Sequence, residues 1–132
     1  MKVVTAAILN LNGKILIAKR KKGDTLENKW EFPGGKIEPG ESPEQCLARE
    51  MLEEFGVTVQ VQDFVCSSTY RYQHIEIELL AYNVRYIDGQ FSLHDHQEIQ
   101  WVTPSDLQAY DFAAADVPIV HKLLATKTQQ FF

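Results

Sequence analysis

The sequence predicts an α/β domain, and three observations predict it. Two β-like stretches joined by Asn12-Gly13 open the chain, a capped amphipathic helix follows at about residues 43–55, and longer β-like stretches precede a final helix. The 132 residues are enough to bury a core without disulfide or metal staples. A composition of 45% hydrophobic and 23% charged residues is ordinary for one globular domain spanning 1–132.

Taken in order, residues 3–11 alternate poorly and read as a strand buried on both faces. Asn12-Gly13 is a two-residue hairpin signal, and residues 14–19 return as a second strand. The basic run from Lys19 to Lys22 then sits at a strand end, where it is either a solvated loop or a place for Arg20 to clamp a phosphate bidentately. Trp30, Glu31, Phe32, Pro33, Gly34, Gly35 and Lys36 lead into the helix, with Trp30 and Phe32 read first as core residues. Residues 57–72 and 75–86 should pair as antiparallel neighbours, and Asp88-Gly89 should turn the chain. A loop carrying His94, Asp95, His96, Gln97 and Glu98 precedes a short strand at 99–102, and its histidines read as solvated, not as transition-metal ligands. Thr103-Pro104 opens a short helix. Asp116 reads as the N-cap of a last helix with Val117, Val120, Leu123 and Leu124 inward, and residues 127–132 carry no signal.

The middle helix is written locally. Ser42 is the N-cap, Pro43 suits the first helical position, Gln45 completes a capping box, and Gly56 supplies the left-handed stop. At ~100° per residue, Leu47, Ala48, Met51, Leu52 and Phe55 should face the core, while Glu50, Glu53 and Glu54 gather on the other side. Two glutamates on a helix are ordinarily a solvated face. Three acids here break two local rules, because like charges at i,i+4 cost ~0.2–0.5 kcal/mol a pair and acids in a last turn oppose the helix dipole. A divalent cation reverses that argument, since Mg²⁺ prefers carboxylate oxygens and bridges to phosphates. Arg49 is placed to orient Glu53 by a bidentate hydrogen bond.

The spacing across 35–57 is Gly35, five residues, Glu41, seven residues, Arg49-Glu50, Met51, Leu52, Glu53-Glu54, Phe55, Gly56, Val57. It resembles the Nudix box, G-x5-E-x7-R-E-U-x-E-E-x-G-U with U aliphatic, and only Met51 departs from the usual residue at its position. The resemblance covers nearly the whole chain and is strongest from Trp30 to Val57. It implies a mixed sheet sandwiched between the box helix and the C-terminal helix. It also implies hydrolysis of (deoxy)nucleoside triphosphates to the monophosphate and pyrophosphate, sanitising oxidised or non-standard nucleotides. A nucleotide sugar, a dinucleoside polyphosphate or a non-catalytic nucleotide sensor are the alternatives.

By the same resemblance, Glu50, Glu53 and Glu54, the Gly34 carbonyl and Asp95 are expected to hold Mg²⁺ or Mn²⁺. Glu53 or Asp95 would take the water's proton, with Glu98 as the fallback for Asp95. Arg20 and Lys36 are expected on the phosphates, Phe32 and Phe112 along the base pocket, and Asp116 at the base edge. Relatives that select 8-oxoguanine often carry Asn at that edge; a carboxylate only accepts hydrogen bonds unless protonated, which leaves a pyrimidine amino group or a modified adenine equally open. Glu41 is expected to support the loop, not the metal.

Charge and composition exclude other classes. A net charge of −5 argues against a nucleic-acid polymer as partner. No apolar run reaches ~18 residues, so no membrane span is expected, and the N-terminus reads as strand and turn, not as a signal peptide. Cys46 and Cys66 fit neither a disulfide framework nor a zinc site, which suggests reduced thiols in a cytoplasmic protein. A monomer is the expectation, with a dimer as the alternative.

Overall fold

The computed structural model describes residues 1–23 and 25–129, so the last three residues of the tail lie outside the described residues. Asn12 and Gly13 both take positive φ, 56° and 82°, as a two-residue hairpin turn requires. They join β1 (Lys2–Leu11) to β2 (Lys14–Arg20) as an antiparallel pair. The other strands are β3 (Trp30–Glu31), β4 (Thr58–Tyr72), β5 (Ile75–Asp88) and β6 (His96–Val102). β4 and β5 pair antiparallel, β5 runs parallel to β1, and β2 pairs antiparallel with both β3 and β6. The result is one six-stranded mixed sheet.

The weak alternation in β1 and β2 now has a physical meaning: both faces of the sheet are covered. Ala6, Ile8, Ile15 and Ile17 join one apolar cluster with Trp30, Phe32, Leu107, Ile119 and Val120. Ala7, Leu9, Leu16 and Ala18 join a second with Leu47, Met51 and Phe55. Neighbouring residues of a strand therefore feed opposite layers. The first layer contains α2 (Val117–Gln129) and the second α1 (Pro43–Phe55), which is the sandwich that the resemblance implied.

Helix α1 begins and ends where the caps place it, with both arms of the Ser42–Gln45 capping box formed and Gly56 at φ 73°. Its faces differ from expectation in one respect. Leu52 is 57% exposed and Glu54 only 8%. The buried stripe runs through Cys46, Leu47, Met51, Glu54 and Phe55, rotated by roughly 70° from the predicted arc at ~100° per residue, because the sheet meets α1 on the side where Glu54 overlooks a cavity.

Two other departures concern the second half. β6 begins at His96, so His96 is not in a solvated loop; its side chain is 4% exposed. The helix expected at Thr103 is a 3₁₀ turn, Pro104–Ala109, with no side-chain cap from Thr103. Asp116 closes a second 3₁₀ turn, Ala114–Asp116, and its carboxylate is used elsewhere, not as the α2 cap.

One feature of the sheet positions the site. β1 and β2 pair only at Asn10↔Ile15 and Leu11↔Lys14. The gap beyond is filled by the 33–37 segment, where Ala7 N donates to Pro33 O (2.6 Å), Thr5 N to Gly35 O (2.8 Å) and Ile37 N to Val3 O (3.1 Å). The glycine loop is thereby wedged into the sheet.

Candidate active site

A cavity of about 760 Å³ opens beside this wedge. Arg20, Phe32, Gly34, Lys36, Glu54, Asp95, Phe112 and Asp116 all line it, so residues scattered over the chain meet at one place.

The glycines are required by contact. A Cβ on Gly34 would lie 1.9 Å from Thr5 O, and one on Gly35 would lie 2.4 Å from Glu50 Cδ. The first clash is with backbone and has no relief; the second would drive out a carboxylate. The loop is also held from behind, since Thr5 Oγ1 donates to Gly35 O (3.1 Å) and Cys46 Sγ lies 3.4 Å from the same carbonyl. Burial pushes the Cys46 thiol up, which keeps it an inert neutral donor.

Arg49 organises the acids. Its Nε and Nη2 grip the two oxygens of Glu41 (2.6 and 3.0 Å), Nη1 donates to Glu50 Oε1 (2.7 Å) and Glu53 Oε2 (3.1 Å), and Nη2 also reaches Lys36 O (3.2 Å). The bidentate partner is thus Glu41 and not Glu53, because Glu41 lies across from the guanidinium fork while Glu53 is 60% exposed one turn further on. Glu41 also accepts Glu38 N (3.0 Å), so it ties the loop to the helix. The Arg49 hydrogen bonds, first among the causes, lower its carboxyl to about 2.

Glu54 is the buried acid. Its Oε2 has no hydrogen-bond partner, and burial first, then Glu50, Glu31 and Asp95, push its carboxyl up to about 9. An oxygen-only donor set with an orphaned buried oxygen among like charges suits a hard divalent cation. Among the described residues no three acidic, His or Cys side chains already converge at metal-holding distance. Glu50 touches Gly35 just behind the cavity wall, and Glu53 is drawn aside toward Arg49.

Glu98 does not stand in for Asp95. Lys19 pairs with Glu98 and Arg20 with His96, so one step of β2 matches two of β6, and the bulge falls at Gln97. That extra residue turns Glu98 onto the face of Lys19 (3.9 Å), whose amine lies over Trp30 (5.9 Å). His94 is exposed with Nε2 3.0 Å from Ser92 Oγ, whereas the His96 side chain is buried with its Nε2 2.8 Å from Glu31 Oε2.

At the other end of the cavity, Phe32 and Phe112 stack with centroids 5.2 Å apart. The buried Asp116 accepts Phe32 N–H at Oδ2 (2.9 Å). Burial, then Glu31, raise its carboxyl well above the ordinary range, which favours the protonated form, the one that can donate as well as accept.

Several wall residues carry no signal in the sequence. Tyr70 and Tyr72 reach the cavity from β4, and Lys29, paired with Asp111 (2.8 Å), from the edge beside β3. Glu31 and His96 are joined 65 residues apart at 2.8 Å. Only sheet pairing brings these together, and residue spacing does not encode it.

Comparison with known proteins agrees with this geometry. The model of the NUDIX domain family matches residues 4–122. A CTP pyrophosphohydrolase of Escherichia coli (strain K12) is 37% identical over 124 residues, 94% of this chain and 92% of its own. An 8-oxo-dGTP diphosphatase of the same organism is 35% identical over 93% of this chain and 95% of its own. The solution structure of the E. coli ORF135 protein superposes with a TM-score of 0.87 at 37% identity, covering 96% of this chain and 91% of that one. A MutT protein from Methanosarcina mazei Go1, 22% identical, shares the fold with a TM-score of 0.85 over 96% and 94% of the two chains. With box, sandwich and cavity wall in agreement, the chain belongs to the NUDIX domain family.

Proposed function

We propose that the protein hydrolyses nucleoside triphosphates to the monophosphate and pyrophosphate, with non-standard nucleotides as its substrates. The single observation that supports this reading most is the division of one cavity into two ends. Phe32, Phe112 and Asp116 offer a flat apolar clamp and a polar edge suited to a base, while Arg20, Lys36 and the acids of α1 suit a polyphosphate. The names of the two E. coli relatives, which concern CTP and 8-oxo-dGTP, point the same way.

In this reading Glu50, Glu53 and Glu54, the Gly34 carbonyl and Asp95 hold Mg²⁺ or Mn²⁺, in keeping with the general use of divalent metal by Nudix hydrolases. The cation, when bound, neutralises the phosphate chain and makes water a better nucleophile. Arg20 and Lys36 bind phosphate oxygens and hold the chain in line. Glu53 or Asp95 accepts the proton as water adds to the β-phosphorus. The bond between the β-phosphorus and the α,β-bridging oxygen then breaks, and the nucleoside monophosphate leaves with that oxygen. Asp116, whose burial favours the protonated form, can then donate to an acceptor on the base edge. The enzyme works as a cytoplasmic monomer; among the described residues no helix is long and apolar enough to cross a membrane.

Pyrophosphate release from a panel of normal, oxidised and methylated nucleoside triphosphates, with nucleotide sugars alongside, tests the reading. Mg²⁺-dependent release from at least one triphosphate, with monophosphate in equal amount, is expected. Turnover of nucleotide sugars alone would overturn it.

A further inference from the structure

We infer that Glu31 is a positioning residue, which fixes the Arg20 guanidinium at the phosphate end of the cavity and braces it through His96 against the last turn of α1. The inference rests on the pyrophosphohydrolase reading, which makes Arg20 a phosphate ligand.

Three adjacent strands carry the arrangement. β2 lies between β3 and β6, with Ala18 opposite Glu31 and Arg20 opposite His96. Residues two apart on a strand share a face, so Glu31, Arg20 and His96 fall on the α1 side of the sheet. There Glu31 Oε1 accepts Arg20 Nη1 (2.7 Å) and Oε2 accepts His96 Nε2 (2.8 Å), so each carboxylate oxygen has its own partner. The His96 ring in turn stacks on Phe55, with centroids 5.3 Å apart and planes 11° from parallel.

The contact is not an exposed and adaptable ion pair. The Glu31 side chain is 17% exposed and that of His96 4%, so neither is free to reorient. The backbone of Arg20 is pinned as well: its N donates to Lys29 O (2.9 Å), and its carbonyl accepts from Asn28 N (3.2 Å) and from Gln97 Nε2 (2.8 Å). A planar guanidinium held at its backbone and, through Nη1, at Glu31 has its plane set before any ligand arrives.

The sign of the effect separates positioning from simple electrostatics. A carboxylate beside a polyphosphate repels it, so neutralising Glu31 should tighten binding if only charge mattered. If Glu31 aims Arg20, neutralising it should weaken binding.

The test uses the full chain, with steady-state pyrophosphate release from its best triphosphate substrate and calorimetric titration with inorganic tripolyphosphate. For Glu31→Gln, KM is expected to rise about tenfold, with kcat changed less than about threefold and an unchanged melting temperature. In an Arg20→Ala background the same substitution should add nothing further to KM. Glu31→Asp, which keeps the charge but shortens the reach, should move KM in the same direction and serves if the Gln variant does not fold. An unchanged or lowered KM in an active protein, or an equal rise with and without Arg20, overturns the inference and leaves the proposed activity standing. If the wild type releases pyrophosphate from no nucleotide, the activity falls, and tripolyphosphate affinity decides this inference alone: weaker in Glu31→Gln supports it, equal or tighter overturns it.

Discussion

The Glu50 carboxylate is packed against the α-carbon of Gly35: a methyl group built there would lie 2.4 Å from Glu50 Cδ and 2.6 and 2.7 Å from its two oxygens. The glycine is therefore the floor on which an acid of α1 rests. Gly35→Ala should push Glu50 away from Arg49 and toward Glu54, lowering turnover about 10²-fold while overpacking removes about 1–3 kcal/mol of stability. Urea unfolding and pyrophosphate release check both halves, and full activity in a stably folded variant would contradict the packing argument.

Arg49 is the hub of four carboxylates and one carbonyl, which makes its planar fork hard to replace. Arg49→Lys should lower both turnover, by about tenfold, and melting temperature. Its effect on stability depends on pH with a definite sign. Glu41 is lowered from 4.5 to about 2 chiefly by Arg49, so its contribution is present above about 4.5 and is lost as pH falls toward 2. The gap in melting temperature between wild type and Arg49→Lys should narrow over that window, as scanning calorimetry from pH 7 to 2 would reveal.

Much of this was legible because its causes are local. Ser42, Gln45 and Gly56 fix α1 by hydrogen bonds within a few residues, and Asn12-Gly13 fixes the first hairpin by its own dihedrals. The positions of Leu52 and Glu54 were not legible, since a helical wheel gives the arc of a face and not the direction from which the sheet meets it. Glu98 was misplaced because a bulge at Gln97 reverses the alternation that a strand otherwise keeps. Arg49 could be seen to face acids, but its choice of Glu41 over Glu53 depends on how the 36–41 loop returns across the helix.

The acids of α1 should reveal their cation by linkage. Glu54, raised to about 9, holds a proton at neutral pH, so Glu54→Gln should leave the metal-free melting temperature nearly unchanged at pH 7. Mg²⁺ should raise the wild-type melting temperature and leave that of Glu54→Gln lower or unmoved, because a ligand stabilises only the state that binds it. Glu53→Gln, altering an exposed acid, should fold normally and lose about 10²-fold or more of Mg²⁺-dependent turnover. Equal Mg²⁺ shifts in wild type and Glu54→Gln would remove Glu54 from the metal set.

Asp116 gives the clearest dependence on pH. In the unfolded chain its carboxyl loses a proton near 3.8, whereas in the fold burial keeps the proton on well above that value. A raised folded pKa means that the unfolded state binds fewer protons, so stability falls as pH rises above 3.8, by up to about 1.4 kcal/mol per pH unit, until the folded group itself ionises. Asparagine is nearly the same shape, and its carbonyl oxygen still accepts Phe32 N–H, but it has no proton to lose. Asp116→Asn should therefore match the wild type near pH 3 and become progressively more stable than it as pH rises above 3.8, until the folded carboxyl ionises. Every other titrating group is common to both proteins and cancels in the difference. Denaturant unfolding across that range measures it, and parallel curves would mean that the buried carboxyl is ionised and compensated in the fold.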